Sequence, residues 1–184
     1  HGTVVIMKSN DLQHDAHGPH RHKMAEDIVS DIFSSSGWRV VRQPRLGAIQ
    51  RPDLAVSRGG IAYAIEIKSA PEGRSDRLVP LWSQAWLQAA HAVDNEHRPL
   101  AIVAAPRISA SAAARVIAFA QRYAPGADAG VVAFAGVRQF RGPQLEDLNA
   151  PGTPANPQFQ KFRGESRDLF SDLNQWMLKV LLAP

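Results

Sequence analysis

The sequence predicts an α/β domain, a mixed sheet flanked by helices, and three observations carry that reading. Helical and strand-like periodicities alternate as α-β-β-β-α-β-α-β between residues 21 and 135. Two short runs, 100–104 and 130–135, are almost wholly apolar, the pattern of strands buried on both faces. The chain has 184 residues, 45% of them hydrophobic and 21% charged, which suits a single globular core without disulfides or structural metals.

The elements follow in order. Residues 1–20 combine Asn10, Asp11, Gly18 and Pro19 with scattered histidines, and read as loop with a short strand at 3–7. From 21 to 36, Met24, Ala25, Ile28, Val29, Ile32 and Phe33 fall on one helical face, and Gly37 ends the helix. Strand-like runs occupy 38–43, 53–57 and 61–68, and the turn Arg58-Gly59-Gly60 makes the last two a hairpin. After a loop at 69–76, a second helical face (Leu78, Leu81, Trp82, Ala85, Ala89, Val93) runs to about Asn95. The strand 100–104, an alanine-rich helix at 109–123 and the strand 130–135 complete a core placed at 21–141.

Residues 142–165 contain Pro151, Pro154 and Pro157 and read as an irregular connection. The final segment, 166–184, is an amphipathic helix with Leu169, Phe170, Leu173, Trp176, Met177, Val180 and Leu181 on one face. That stripe packs on this domain, or docks to a further domain or a second copy in a homodimer. The chain opens His1-Gly2-Thr3 without methionine and stops directly after an apolar run, so a piece of something longer is expected, with residues 1–20 partly tag-derived.

Cysteine is absent, which excludes disulfides, thiolate zinc sites and cysteine nucleophiles. No apolar run approaches the ~20 residues that span a bilayer, so a cytoplasmic protein without a membrane partner is expected. The net charge of +4, from 21 basic and 17 acidic residues, is compatible with a polyanionic partner but does not identify one. No Gly-x-Ser-x-Gly elbow marks a serine hydrolase.

The residues that carry chemistry lie on the hairpin. Arg51-Pro52-Asp53 opens its first strand and Glu66-Ile67-Lys68 closes its second, with 12 residues between Asp53 and Glu66. Residues i and i+2 of a strand share a face, so Glu66 and Lys68 project together, with Asp53 brought near by the pairing. Two converging carboxylates suit a hard divalent cation such as Mg²⁺. A neighbouring lysine can orient or help deprotonate an attacking water and stabilise charge on phosphorus. The competing reading is an ordinary Glu and Lys pair on a solvated hairpin.

Pro52-Asp53 and Glu66-Ile67-Lys68, with this gap and these flanking elements, resemble the motif of the PD-(D/E)xK nuclease superfamily, the restriction-endonuclease-like fold. The resemblance covers roughly residues 21–135 and the family's αβββαβ core, and is nearest to the Mrr-like or Holliday-junction-resolvase-like branches. It implies that Asp53 and Glu66 bind Mg²⁺, with Mn²⁺ able to substitute. It implies also that the Ile67 carbonyl adds a ligand and that Lys68 assists the attacking water. Glu26 on the first helix would then approach the metal, or be a solvated helix glutamate. Gln84, in the position of a glutamine that orients the lysine or touches the DNA backbone, and Gln88, one turn on, form a second open choice against a solvated pair.

Arg45, Arg51, Arg74 and Arg77, with Arg39 and Arg42, flank the motif and could contact phosphates without reading sequence. His14, His17, His20 and His22 lack the fixed spacing of a zinc site and read as polar loop. What the resemblance implies is therefore a metal-dependent DNA endonuclease in restriction or phage defence. A repair or recombination nuclease, and a scaffold without catalysis that binds nucleic acid or assembles with other proteins, are the alternatives.

Overall fold

A computed structural model of the chain describes residues 17–46 and 51–151. The strand proposed at 3–7, the side chains of His14 and His17, most of the proline-rich connection and the amphipathic helix at 166–184 lie outside the described residues.

The first helix, α1 (His17–Ser35), starts earlier than its apolar periodicity indicates. Gly18 and Pro19 punctuate no loop; they occupy the first helical turn, where proline's missing N–H has no intrahelical partner to lose. Then come β1 (Arg39–Arg42), β2 (Leu54–Arg58), β3 (Ile61–Ser69), α2 (Ser75–Ala92), β4 (Arg98–Ala105), α3 (Ala110–Tyr123) and β5 (Asp128–Ala133). This is the predicted αβββαβ order in an α/β fold. Two strands follow that the periodicity does not announce, β6 (Val137–Arg141) and β7 (Ala150–Pro151), with one 3₁₀ turn, Glu146–Leu148, between them. The sheet thus reaches into the stretch read as irregular connection.

The seven strands lie side by side in sequence order. β3, β4 and β5 are parallel, linked by α2 and α3 as crossovers, and every other neighbour is antiparallel. The β2-β3 hairpin closes through Gly59 (φ +55°) and Gly60 (φ +82°), both in the left-handed region that a two-residue hairpin turn demands. Alternation then divides the sheet's two faces. Leu54, Val56, Tyr63, Ile65 and Ile67 pack under α1 with Phe33 and Trp38. Ala101, Val103, Ala129 and Val131 pack under α2 and α3 with Leu78, Trp82 and Val116. Leu100 to Ala105 of β4 and the whole of β5 are buried, and both strands contribute to both cores. Among the described residues no helix is long and apolar enough to cross a membrane.

Two devices fix the ends of the motif strands. Gly73 pairs with Ile108 in a bridge so close that a Cβ there would stand 1.9 Å from the Arg107 carbonyl oxygen, which ties the loop after β3 to the loop after β4. At the hairpin end, Arg58 donates to the carbonyls of Ser36 (2.9 Å) and Gln144 (2.6 Å) and to Asp147 (2.6 and 3.0 Å). Its guanidinium also lies 4.5 Å over the Trp38 ring.

Arg58→Met should therefore lower unfolding stability by about 1–3 kcal/mol, since it strands two carbonyls and a carboxylate. Denaturant titration measures this. The hydrogen bond from Arg58 holds the Asp147 carboxyl below its ordinary value. That contribution is present above about pH 4, the unfolded value, and is lost as pH falls through the lowered folded one. Asp147→Asn should accordingly be less stable than wild type at neutral pH, with the gap closing in acid.

Candidate metal-binding active site

The site forms where β2 stops pairing with β3. Leu54 is paired with Ile65, so continuing the register would set Pro52 opposite Ile67. Proline has no N–H to donate to the Ile67 carbonyl, and the ladder ends there. The Ile67 N–H instead donates to Asp53 Oδ2 at 2.8 Å. A strand residue's N–H and C=O point to the same edge, so the Ile67 carbonyl faces the gap that Asp53 occupies. The Ile67 side chain is fully buried beneath α1, which locks this backbone in place.

Glu66 and Lys68 project from the same face of β3, as predicted, and make an ion pair of 2.7 Å between Nζ and Oε1. Glu66 is buried, and burial pushes its carboxyl up from the ordinary value; the bond from Lys68 opposes this and the field of Asp53 adds to it.

α1 supplies the rest. Glu26 lies on its sheet-facing edge, and His22 one turn earlier reaches both Glu26 Oε1 (3.0 Å) and Asp53 Oδ1 (3.7 Å). Ligand atoms of His22, Glu26 and Asp53 all lie within 4.8 Å of one another. Two ligands opposed across a divalent ion at its usual bond lengths are about 4–5 Å apart, so this spacing fits one ion. Glu66 stands outside that set, engaged by Lys68. The shared carboxylates perturb their neighbours. Interaction with Asp53 raises the His22 pKa most, with Glu26 adding to it and burial opposing, although Glu26 is the closer contact. Glu26 is itself raised, first by burial and then by Asp53.

His22 is the residue that the sequence reading passed over, as one of four scattered histidines in a polar loop. It belongs to α1, and its spacing of four from Glu26 was the available signal, since i and i+4 share a helix face. His20 is exposed.

The remaining candidates are dispersed. Gln84 is exposed on α2, while Gln88 is half-buried with an Oε1 that is buried and has no hydrogen-bond partner among the described residues. Trp82 is core, with Trp86 stacked beside it. Arg45, Arg51 and Arg77 are exposed, Arg74 is paired with Asp76, and Arg42 is paired with Asp27 at 2.6 Å.

The sequence matches no family model and no curated protein. One solved structure, titled "CdiA-CT/CdiI toxin and immunity complex from Burkholderia pseudomallei", is similar at a TM-score of 0.49 and 15% identity. The match covers 77% of this chain and 95% of that one.

If the three-residue cluster holds an ion, His22→Ala, Glu26→Gln and Asp53→Asn should each lower Mn²⁺ affinity roughly tenfold or more by calorimetry. Protons compete with the ion for these ligands. Affinity should fall as pH drops through the raised His22 value, above the ordinary ~6.5, and again through the raised Glu26 value above ~4.3. An affinity unchanged from pH 8 to pH 5 would contradict the assignment.

Proposed function

We propose that this domain is a metal-dependent deoxyribonuclease of the PD-(D/E)xK type that hydrolyses phosphodiester bonds. One observation carries the reading. Asp53, Glu66 and Lys68, singled out by their motif, meet at the point where β2 leaves β3, and α1 adds two ligands there. A solvated hairpin pair would not draw a histidine and a third carboxylate from a separate helix, nor would Glu66 be buried. That burial also weighs against the scaffold without catalysis, because a buried carboxylate with no task costs stability.

His22, Glu26 and Asp53 are the residues that would hold the ion, with the Ile67 carbonyl and Glu66 beside them. When bound, a divalent cation supplies Lewis-acid stabilisation of charge on the phosphoryl oxygens. The imidazole nitrogen in this donor set favours Mn²⁺ over Mg²⁺ more than an all-oxygen set would. Asp53 has a double task, since one oxygen fixes the backbone of Ile67 and the other faces His22. Lys68 sits partly exposed at the mouth, where its ammonium can donate to the incoming water or to a non-bridging phosphate oxygen. The water oxygen bonds to phosphorus, one P–O ester bond breaks and the leaving oxygen takes up a proton. The products are one phosphomonoester and one alcohol.

Incubation with plasmid, linear and branched DNA in Mn²⁺, Mg²⁺ or EDTA tests this directly. Cutting should require the cation, with Mn²⁺ at least as effective as Mg²⁺. Lys68→Ala should slow single-turnover cleavage by about 10²- to 10⁴-fold while leaving metal affinity near wild type. Asp53→Ala should fail through lost metal binding. Undiminished cutting by chelated protein, or by Lys68→Ala, would overturn the assignment.

A further inference from the structure

Among the described residues, the second core leaves part of the sheet bare: α2 and α3 pack on β3, β4 and β5, and the cluster beneath them draws nothing from β1 or β2. On that uncovered face is an open hollow of about 350 Å³. Its floor is apolar, formed by Val41 and Ala55, with Pro44 and Leu46 beside them. Its polar groups are Arg39, Arg45, Ser57 and His97.

The hollow is shaped by the backbone. Gln43 adopts φ +44°, a left-handed conformation uncommon outside glycine, directly after β1, and its N–H donates to the Asp53 carbonyl at 2.8 Å. The reversal there brings Pro44, Arg45 and Leu46 into the same cavity as the strand residues they follow. His97 is fixed from the opposite side, its ring nitrogen 2.8 Å from Asp94 Oδ1. The side chains of Arg39 and Arg45 make no hydrogen bond or ion pair among the described residues, whereas that of Arg42 on the same strand as Arg39 is taken by Asp27. Two guanidiniums with no acidic partner thus flank an apolar floor, which calls for an anion joined to a flat apolar body.

Position narrows the class. Ala55 and Ser57 lie two and four residues along β2 from Asp53, or about 7 and 13 Å at the rise of a strand. A phosphate chain cut at Asp53 would therefore place a neighbouring nucleotide over the hollow. The volume sits at the lower end of small-ligand sites, about 300–1,000 Å³, and has room for one nucleotide but not for a base pair. A base enters such a site only when unstacked, which costs a few kcal/mol in duplex and least in a single strand.

Building on the hydrolytic reading above, we infer that this hollow is a subsite for one unstacked nucleotide, and that the preferred substrate is single-stranded or frayed DNA. Arg39 and Arg45 hold the phosphates, and the base lies on the floor of Val41, Pro44 and Ala55.

The test uses the whole chain, a labelled single strand and the blunt duplex of the same sequence. Single-turnover cleavage is measured in Mn²⁺, and binding is followed by fluorescence anisotropy in EDTA. The single strand should be cut at least tenfold faster than the duplex. Arg39→Ala, and Ser57→Trp, which fills the hollow from an exposed strand position, should each weaken single-strand binding about tenfold and change duplex binding less than twofold. A deoxynucleoside monophosphate should compete with the single strand for wild type but not for Ser57→Trp. Equal cutting of the two substrates, or variants that weaken both alike or neither, would overturn the subsite. If no DNA is cut but single-strand binding shows these differences, the hydrolytic reading falls and the subsite stands.

Discussion

A single hydrogen bond, from the Ile67 N–H to Asp53 Oδ2, holds the site together. It exists because Pro52 interrupts the β2-β3 ladder, so a backbone donor that would be paired in a longer hairpin is left for a side chain. Satisfying that donor aims Asp53 into the gap and turns its second oxygen toward α1. The same interruption denies the Ile67 carbonyl a partner from Pro52. One residue without an N–H thereby converts the end of a hairpin into a place where oxygen ligands converge.

The surrounding packing keeps that place rigid. Ile67 is buried to one side while Glu66 and Lys68 point to the other, so β3 is anchored by its apolar residues and works through its polar ones. α1 follows the same logic, with Ala25, Val29, Ile32 and Phe33 in the core while His22 and Glu26 stand toward Asp53. The acids outnumber the bases at this point. Three carboxylates face one ammonium and one imidazole; burial and the field of Asp53 raise both glutamate carboxyls, while the hydrogen bond and field of Asp53, with Glu26, raise the imidazole against its burial. A divalent cation relieves that repulsion, which is a physical reason for such a cluster to persist.

The same sheet offers a second environment a short distance away. Because its crossover helices pack on β3 to β6, the antiparallel pair β1 and β2 is covered on the α1 side and, among the described residues, open on the other. Gln43, in a left-handed turn, joins the two environments through the hydrogen bond from its N–H to the Asp53 carbonyl. A change at that turn would be felt in both the hollow and the carboxylate gap.

The sequence by itself determined the α/β order, the hairpin and the pairing of Glu66 with Lys68. These depend on local period: strands alternate every two residues, helices repeat every 3.6, and glycines turn. It also marked Asp53 through its motif. It gave no sign of β6, whose Val137-Arg138-Gln139-Phe140-Arg141 is too polar for a core strand and is held by pairing with β5. It placed Glu26 only as one of two alternatives. His22 went unrecognised altogether, since its role comes from α1 lying across the end of β2, a contact between segments about 30 residues apart that no local period encodes. Which strands α2 and α3 cover was equally hidden, because only their tertiary packing decides it.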